Sequence, residues 1–155
     1  MVKKTTNSGF TLIELLTVIV IIGLIATAVV VALSARRKDS RDARRIADIA
    51  EMKIAFELFF DSEGATYPRG DQTDVNYQSL APAHIAALPK DPLDNADYFY
   101  RGLHGDGSAC GAASASCASY VVGAKLETGH KALDGDNDGT YGSLDCSDPV
   151  YCYRP

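Results

Sequence analysis

Apolar residues are concentrated in one long run near the N-terminus. The run begins at Phe10 and reaches Ala35, and no residue from Leu15 to Leu33 carries an ionisable side chain. At 1.5 Å per helical residue, about 25 residues span roughly 38 Å, enough to cross a hydrocarbon layer about 30 Å thick. A secretory signal has a shorter apolar core with a cleavage site behind it. The pattern therefore predicts a retained membrane helix over 10–35.

The apolar positions change to a one-sided helical repeat in the next segment, 36–63. Apolar residues recur there at three- and four-residue spacing, with charged residues between them: Ile46, Ile49, Met52, Phe56 and Phe59. Two pairs of opposite charge stand four residues apart, Arg44–Asp48 and Lys53–Glu57, a spacing that supports a helix. Proline and glycine are absent between Leu24 and Glu63. We therefore predict one unbroken helix that buries a stripe of its second half.

Residues 64–155 have the turn and strand signals of a small globular head. Gly64 is placed to end the helix, and a short helical segment is predicted around 80–88. Aromatic or alternating runs predict three strands: Tyr98–Tyr100, Tyr120–Leu126 and Val150–Tyr153. The predicted fold class is α+β, a long helix packed on a small antiparallel sheet.

Four cysteines lie in this head: Cys110, Cys117, Cys146 and Cys152. An even number in a small, loop-rich domain indicates two disulfides and an oxidising compartment. Three pairings are possible, of which the sequence-local one, Cys110–Cys117 with Cys146–Cys152, is favoured. A zinc site is disfavoured because no Cys-x-x-Cys pair is present.

The charges limit the partners of the chain. A net charge of −5 argues against a nucleic-acid binder, since binding phosphates needs a cationic surface. Basic residues do cluster after the apolar run: Arg36, Arg37, Lys38, Arg41, Arg44 and Arg45. We interpret this cluster as a solvated helix face, and contact with lipid headgroups or an acidic partner is the alternative.

An acidic, glycine-containing segment has the ligand spacing of an EF-hand calcium loop. Its candidate ligands are Asp134, Asp136, Asp138 and Asp145. Asp145 stands where a bidentate Glu is usual, which indicates weaker binding. From the residues alone, a plain acidic turn explains the segment equally well.

Glu14 interrupts the apolar run four residues after Phe10. An unpaired carboxylate in lipid costs a few kcal/mol, so a deeply placed Glu14 needs a partner. A position at headgroup depth needs none, and the spacing does not decide between the two.

The segment from Ser8 to Leu16, Ser-Gly-Phe-Thr-Leu-Ile-Glu-Leu-Leu, resembles the class III signal of type IV prepilins and of type II secretion pseudopilins. The resemblance implies a leader, 1–9, that a prepilin peptidase removes between Gly9 and Phe10, with N-methylation of Phe10. It also implies that Glu14 pairs with the new amino terminus of a neighbouring subunit. Val31 stands where many members have a helix-kinking proline, so we expect a straighter helix.

Further motifs are similar to those of the major pseudopilin of type II secretion. They are Gly-x-x-Tyr-Pro at 64–68 and Leu-Pro-Lys-Asp-Pro at 88–92. This resemblance implies calcium in the C-terminal loop, which tips the acidic segment towards a metal site. The insertion 105–117 and the cysteines depart from that pattern and leave secretion pseudopilus and surface pilus open.

The implied function is that of a structural filament subunit. Its implied partners are copies of itself, other pilin-like subunits, the prepilin peptidase, an assembly ATPase and a membrane platform protein. The precursor is expected to cross the cytoplasmic membrane once, with its head outside, and then to enter a periplasmic or cell-surface filament. The positive-inside rule taken alone favours the reverse orientation, because six basic residues follow the span and only Lys3 and Lys4 precede it.

Catalysis is not expected from this sequence. His84, His104 and His130 are scattered, and Ser108 lacks the Gly-x-Ser-x-Gly elbow of a hydrolase. The alternative to a filament subunit is a monomeric, membrane-tethered module that binds calcium or another ligand. That alternative predicts an uncut bond between Gly9 and Phe10.

Overall fold

A computed structural model of the chain describes residues 10–114 and 116–155, and it divides the chain between Arg37 and Lys38 into two compact units. The fold is α+β, as predicted, with one long helix and a small antiparallel sheet. The predicted leader, including Gly9, lies outside the described residues.

Helix α1 runs from Leu12 to Ser62 without interruption and passes through Val31. Its end is set by Gly64, whose φ of +70° places it in the left-handed region that glycine adopts without strain. The Ala65 N–H then donates to the Phe60 carbonyl at 3.0 Å, which satisfies one of the last helical acceptors. The predicted unbroken helix and its end at Gly64 are both confirmed.

Two short helices follow, α2 at Val75–Gln78 and α3 at Leu80–Ala83. Asp74 caps α2, because its carboxylate accepts the Asn76 N–H at 2.9 Å. The helix predicted around 80–88 is shorter than expected, because only α3, at its start, is helical.

Three strands form the main sheet in the order β1-β2-β5, with every pair antiparallel. They are β1 at Phe99–Leu103, β2 at Ser119–Lys125 and β5 at Val150–Tyr153. A 3-10 helix at Lys131–Gly135 and a hairpin of β3, Thr140–Tyr141, and β4, Leu144–Asp145, lie between β2 and β5 in the chain. All three predicted strands are present, whereas the small hairpin was not predicted.

One face of the sheet packs against the second half of α1. Phe56 is fully buried, and its ring centroid lies 4.9 Å from that of Tyr100 and 4.6 Å from that of Tyr120. The helix contributes a buried stripe to this core: Ile49, Met52, Ala55, Phe56 and Phe59. Except for Ala55, these residues belong to the stripe predicted from the helical repeat, whereas Ile46 is only half-buried.

The other face of the sheet carries a second, smaller core under the hairpin. Leu103, Val121 and Cys152 from the sheet meet Cys146, with Tyr141 and Leu144 packed around them. Gly123 permits this close packing, because a Cβ there would lie 2.8 Å from the Cys152 sulfur. Strand β2 is thus buried on both faces.

Both outer edges of the sheet are covered by other parts of the head. Along β1, the Gly102 N–H donates to the Gly70 carbonyl at 2.9 Å. Along β5, the Cys152 N–H donates to the Asp136 carboxylate at 2.7 Å and the Arg154 N–H to the Asn137 side chain at 2.9 Å. Loops therefore occupy the backbone groups that an edge strand normally exposes.

Candidate functional site

Thr11 and Glu14 form a reciprocal hydrogen-bond arrangement at the start of α1. The Glu14 carboxylate accepts the Thr11 backbone N–H at 2.9 Å and the Thr11 hydroxyl at 2.7 Å. In return, the Glu14 N–H donates to the Thr11 hydroxyl oxygen at 3.3 Å. This is a capping box, in which two side chains three residues apart satisfy N–H groups of the first helical turn. Glu14 therefore has a partner within its own chain.

Phe10 lies just before the capping box, and 85% of its surface is exposed. Gly9 lies outside the described residues, so the cleavage site and the methylation of Phe10 stay predictions. The pairing of Glu14 with the amino terminus of another subunit also stays a prediction.

The first half of α1 exposes its large aliphatic side chains. Every Leu, Ile and Val between Leu12 and Leu33 is at least 47% exposed. Among the described residues, α1 is the one helix long and apolar enough to cross a membrane. So large an apolar surface requires lipid or another protein to cover it.

A buried ionic network connects the second half of α1 with two other segments of the head. The Arg45 side chain is 3% exposed, and its guanidinium binds both oxygens of Asp91, with Nε–Oδ2 at 2.6 Å and Nη2–Oδ1 at 2.9 Å. Its Nη1 also donates to Asp42 Oδ1 at 2.7 Å and to Glu127 Oε1 at 2.9 Å. One cation thus holds three carboxylates, two of which lie far from it in sequence.

Arg41 and Asp42 complete the network on the side of Glu127. Arg41 binds both Glu127 carboxylate oxygens at 2.6 Å. The fully buried Asp42 carboxylate accepts the N–H groups of Glu127 and Thr128 and the Thr128 hydroxyl, at 2.8 to 3.1 Å. These bonds fasten the chain just after β2 onto α1.

The network moves the pKa values of its members in the direction that keeps them charged. Hydrogen bonding to Arg41 and, in second place, to Arg45 lowers the pKa of Glu127 to about 2. The Arg45 hydrogen bonds lower the pKa of Asp91. Burial alone raises the pKa of Asp42, but hydrogen bonds from Glu127, Thr128 and Arg45 outweigh burial and lower it. All three carboxylates therefore stay ionised at neutral pH.

The interpretation of the basic cluster as a solvated helix face is wrong for Arg45 and for the half-buried Arg41, and right for the exposed Arg44. Arg45 is 2% exposed and the interleaved Asp42 is fully buried, whereas Arg36, Arg37 and Lys38 are exposed. The error has a physical cause. Pairing with carboxylates from distant segments permits the burial of Arg45, and helical spacing alone does not reveal such partners.

The two predicted charge pairs on α1 differ in outcome. Arg44 and Asp48 approach to 3.9 Å, at the outer limit of an ion pair. Lys53 instead lies over the Tyr153 ring, 3.4 Å from its centroid, and Glu57 accepts the Tyr67 hydroxyl at 3.1 and 3.2 Å. Lys53 and Glu57 thus contact aromatic residues of the head instead of each other.

The acidic segment brings together Asp136, Asp138 and a residue that sequence reasoning missed, Asp148. One carboxylate oxygen from each lies within 4.8 Å of the others. Asp136 Oδ2 accepts the Cys152 N–H, whereas its buried Oδ1 has no hydrogen-bond partner among the described residues. Burial raises the pKa of Asp136, and the neighbouring charges of Asp138 and Asp148 add to this effect. A cation would relieve this concentration of negative charge.

The other two predicted ligands stand apart from this group of three. Asp134 belongs to the 3-10 helix, and Asp145 ends β4. The Asp145 carboxylate accepts the N–H and hydroxyl of Ser147 at 3.0 and 2.7 Å. The segment is therefore folded differently from an EF-hand loop, because a hairpin replaces the second half of the loop.

Two disulfides close the loops of the head, Cys110–Cys117 and Cys146–Cys152. This is the sequence-local pairing that the sequence favoured. The first closes a loop inside the insertion 105–117. The second joins the end of the hairpin to β5, directly beside the bond from the Cys152 N–H to Asp136.

The three histidines contact different segments. His84 lies edge-on to Phe59 with ring centroids 5.5 Å apart, and His104 approaches the Ser114 hydroxyl at 3.5 Å. His130 caps the 3-10 helix by accepting the Ala132 N–H at 3.1 Å. Each of these contacts is structural in character.

Comparison with known proteins adds independent information. A family model described as a prokaryotic N-terminal methylation motif matches residues 4–30. The type II secretion system core protein G of Aeromonas hydrophila is 31% identical over 104 residues, which cover 60% of this chain and 72% of that protein. The proteins of the same name from Vibrio cholerae and Escherichia coli are 30% and 32% identical, over 64% and 58% of this chain and 74% and 68% of their own length. No solved structure gives a significant match.

Proposed function

Because this chain belongs to the family of type II secretion system core protein G, and is thus a structural subunit of a pseudopilus- or pilus-type filament, we propose that it assembles through the apolar helix 10–35 after the bond between Gly9 and Phe10 is cut. The observation that carries this proposal is the exposed apolar half of α1 with a single acidic residue, Glu14, at its start. A plain membrane anchor has no need of that carboxylate.

Glu14 supplies the charge that orders one subunit against the next. Before assembly, Thr11 satisfies the Glu14 carboxylate through two hydrogen bonds. Cutting the leader gives a neighbouring copy a cationic amine at Phe10. Like a carboxylate, this amine costs free energy to bury in an apolar environment without a counterion. Pairing the two neutralises both, and a contact between opposite full charges is stronger than the bonds that the uncharged Thr11 donors make to the same carboxylate.

Mass spectrometry of the native mature protein tests this proposal. We expect a polypeptide that begins at a methylated Phe10. A protein that still carries Met1 to Gly9, isolated from cells with an active prepilin peptidase, would exclude the proposed maturation and favour a monomeric, tethered module.

We assign the assembly machinery and location on the same grounds. The expected partners are further copies, other pilin-like subunits, a leader peptidase, an assembly ATPase and a membrane platform protein. The precursor crosses the cytoplasmic membrane once and exposes its head outside, where an oxidising compartment supports the two disulfides.

We further propose that Asp136, Asp138 and Asp148 hold a calcium ion. Calcium prefers carboxylate and carbonyl oxygens, and the buried Oδ1 of Asp136 is available to such a ligand. The ion would neutralise the charge of the three carboxylates and fasten the hairpin region to β5.

Calorimetry and thermal melting of the full chain in detergent test the calcium site. Calcium should raise the melting temperature of the wild-type protein and of the matched control Asp145→Asn, but not of Asp136→Asn. Absence of both binding heat and a melting shift in the wild type would remove the site.

A further inference from the structure

We propose that Arg37 and Lys38 form a headgroup-binding collar that recognises anionic phospholipids where α1 leaves the membrane. The inference rests on the membrane-anchor part of the proposed function and is independent of filament formation. Its occupant is a lipid surface that carries phosphodiester anions without a balancing amine.

The position of the collar follows from the length of the apolar segment. From Phe10 to Ala35 the chain is apolar apart from Glu14, and Arg36, Arg37 and Lys38 follow without a gap. At 1.5 Å per residue this segment is about 39 Å long, between the ~30 Å hydrocarbon layer and the ~40–45 Å that includes the headgroups. The cations therefore fall at headgroup depth on the side of the head.

The structure divides the basic cluster into two sets with different partners. Arg41 and Arg45 are bound to the carboxylates of Asp91, Asp42 and Glu127 inside the head. The side chains of Arg37 and Lys38 are exposed, and within 10–114 and 116–155 they take part in no hydrogen bond or ion pair. Arg37 and Lys38 are therefore available to an outside anion, whereas Arg41 and Arg45 are not.

The helix directs these side chains towards the lipid. In an α-helix each Cα–Cβ bond tilts towards the N-terminus, which here is the membrane side. Long cationic side chains extend their charged ends to the interface in the same way. Arg37 presents a fork that binds two phosphate oxygens, and Lys38 adds a compact point charge.

A tryptophan probe placed beside the collar tests this inference. The chain contains no Trp, so Leu33→Trp gives a single reporter on the exposed surface of the span. The full chain with this probe is reconstituted into vesicles containing brominated phosphatidylglycerol or brominated phosphatidylcholine. Bromine quenches the nearby indole, so the ratio of quenching measures the local preference for the anionic lipid.

We expect stronger quenching by phosphatidylglycerol and loss of that preference in Arg37→Gln with Lys38→Gln. Each cation near an anionic surface contributes up to about fivefold, the equivalent of about 1 kcal/mol. The matched control, Lys125→Gln with Lys131→Gln, removes the same charge from exposed positions of the head and should keep the preference.

Three outcomes would overturn the inference. Equal quenching by both lipids in the wild-type background would do so while leaving the membrane anchor intact. Loss of the preference in the control pair would show that the charge of the whole head is responsible. Removal of the preference by inorganic phosphate, but not by chloride at the same ionic strength, would indicate a site for free phosphate. A probe that no lipid quenches would instead contradict the anchor itself.

Discussion

The two halves of α1 are parts of one helix but meet very different surroundings. In the first half, the large aliphatic side chains are exposed and the one carboxylate is satisfied by Thr11 in the same helical turn. In the second half, an apolar stripe is buried in an aromatic core, and the guanidinium groups of Arg41 and Arg45 are bound by Asp91 and Glu127 from distant segments. The second half of α1 is thus covered by the head of the same chain, whereas the first half keeps an apolar surface that lipid or another protein has to cover.

The largest expected effect comes from breaking the network of the second half. Replacing Arg45 by Met leaves three buried or half-buried carboxylates without their shared cation, so the head should lose about 3–5 kcal/mol of unfolding free energy. Urea denaturation of the full chain in detergent, followed by near-UV circular dichroism of the tyrosine cluster, measures this loss.

Arg44→Met is the matched control for this experiment. The Arg44 side chain is 68% exposed, and its loss should change stability by no more than about 0.5 kcal/mol. Equal effects of the two substitutions would mean that the network contributes nothing specific to the head.

Glu14→Ala tests the role of the acidic residue in the first half of α1. The neighbouring amine would lose its counterion in an apolar environment, so the yield of sheared filaments should fall more than tenfold. The melting temperature of the head should not change. Glu51→Ala, at an exposed position of the second half, serves as control, and normal filaments with Glu14→Ala would refute the pairing role.

Removing the disulfide between Cys146 and Cys152 tests the covalent part of the head. The double substitution to Ser frees a short loop in the unfolded chain and should cost about 2 kcal/mol. Far-UV circular dichroism should show the helical content of α1 unchanged. A drop in helicity would show that the disulfide also maintains α1.

The smallest expected effect is a loss of head stability in acid. The folded pKa of Glu127, about 2, lies below its ordinary value of 4.5, so its contribution is complete above pH 4.5 and disappears as the pH falls towards 2. After allowance for solvent screening, this amounts to about 1–2 kcal/mol. Urea midpoints measured across this range should fall less in Glu127→Gln than in the wild type.

Sequence patterns predicted those features that depend on neighbours in the chain. The helical repeat identified Ile49, Met52, Phe56 and Phe59 as core residues, and Gly64 was correctly assigned as the helix end. Local spacing succeeds in such cases because the helix and its turn are set by contacts within a few residues.

The same patterns could not reveal contacts between distant segments. Asp91 stands in the recognisable Leu-Pro-Lys-Asp-Pro motif, yet nothing in that motif indicates that its carboxylate binds Arg45. Asp148 joined the acidic group only because the hairpin returns the chain to Asp136. The one usable signal for the network was the close spacing of Arg41, Asp42 and Arg45 on a helix.

The covered edges of the sheet have a consequence for the head of a filament subunit. An open strand in each head would invite head-to-head strand pairing, which has no fixed end and leads to irregular aggregates. Here the bonds from Gly102 to Gly70 and from Cys152 to Asp136 already occupy those positions. The heads can therefore be brought close together at high local concentration without strand pairing between their sheets.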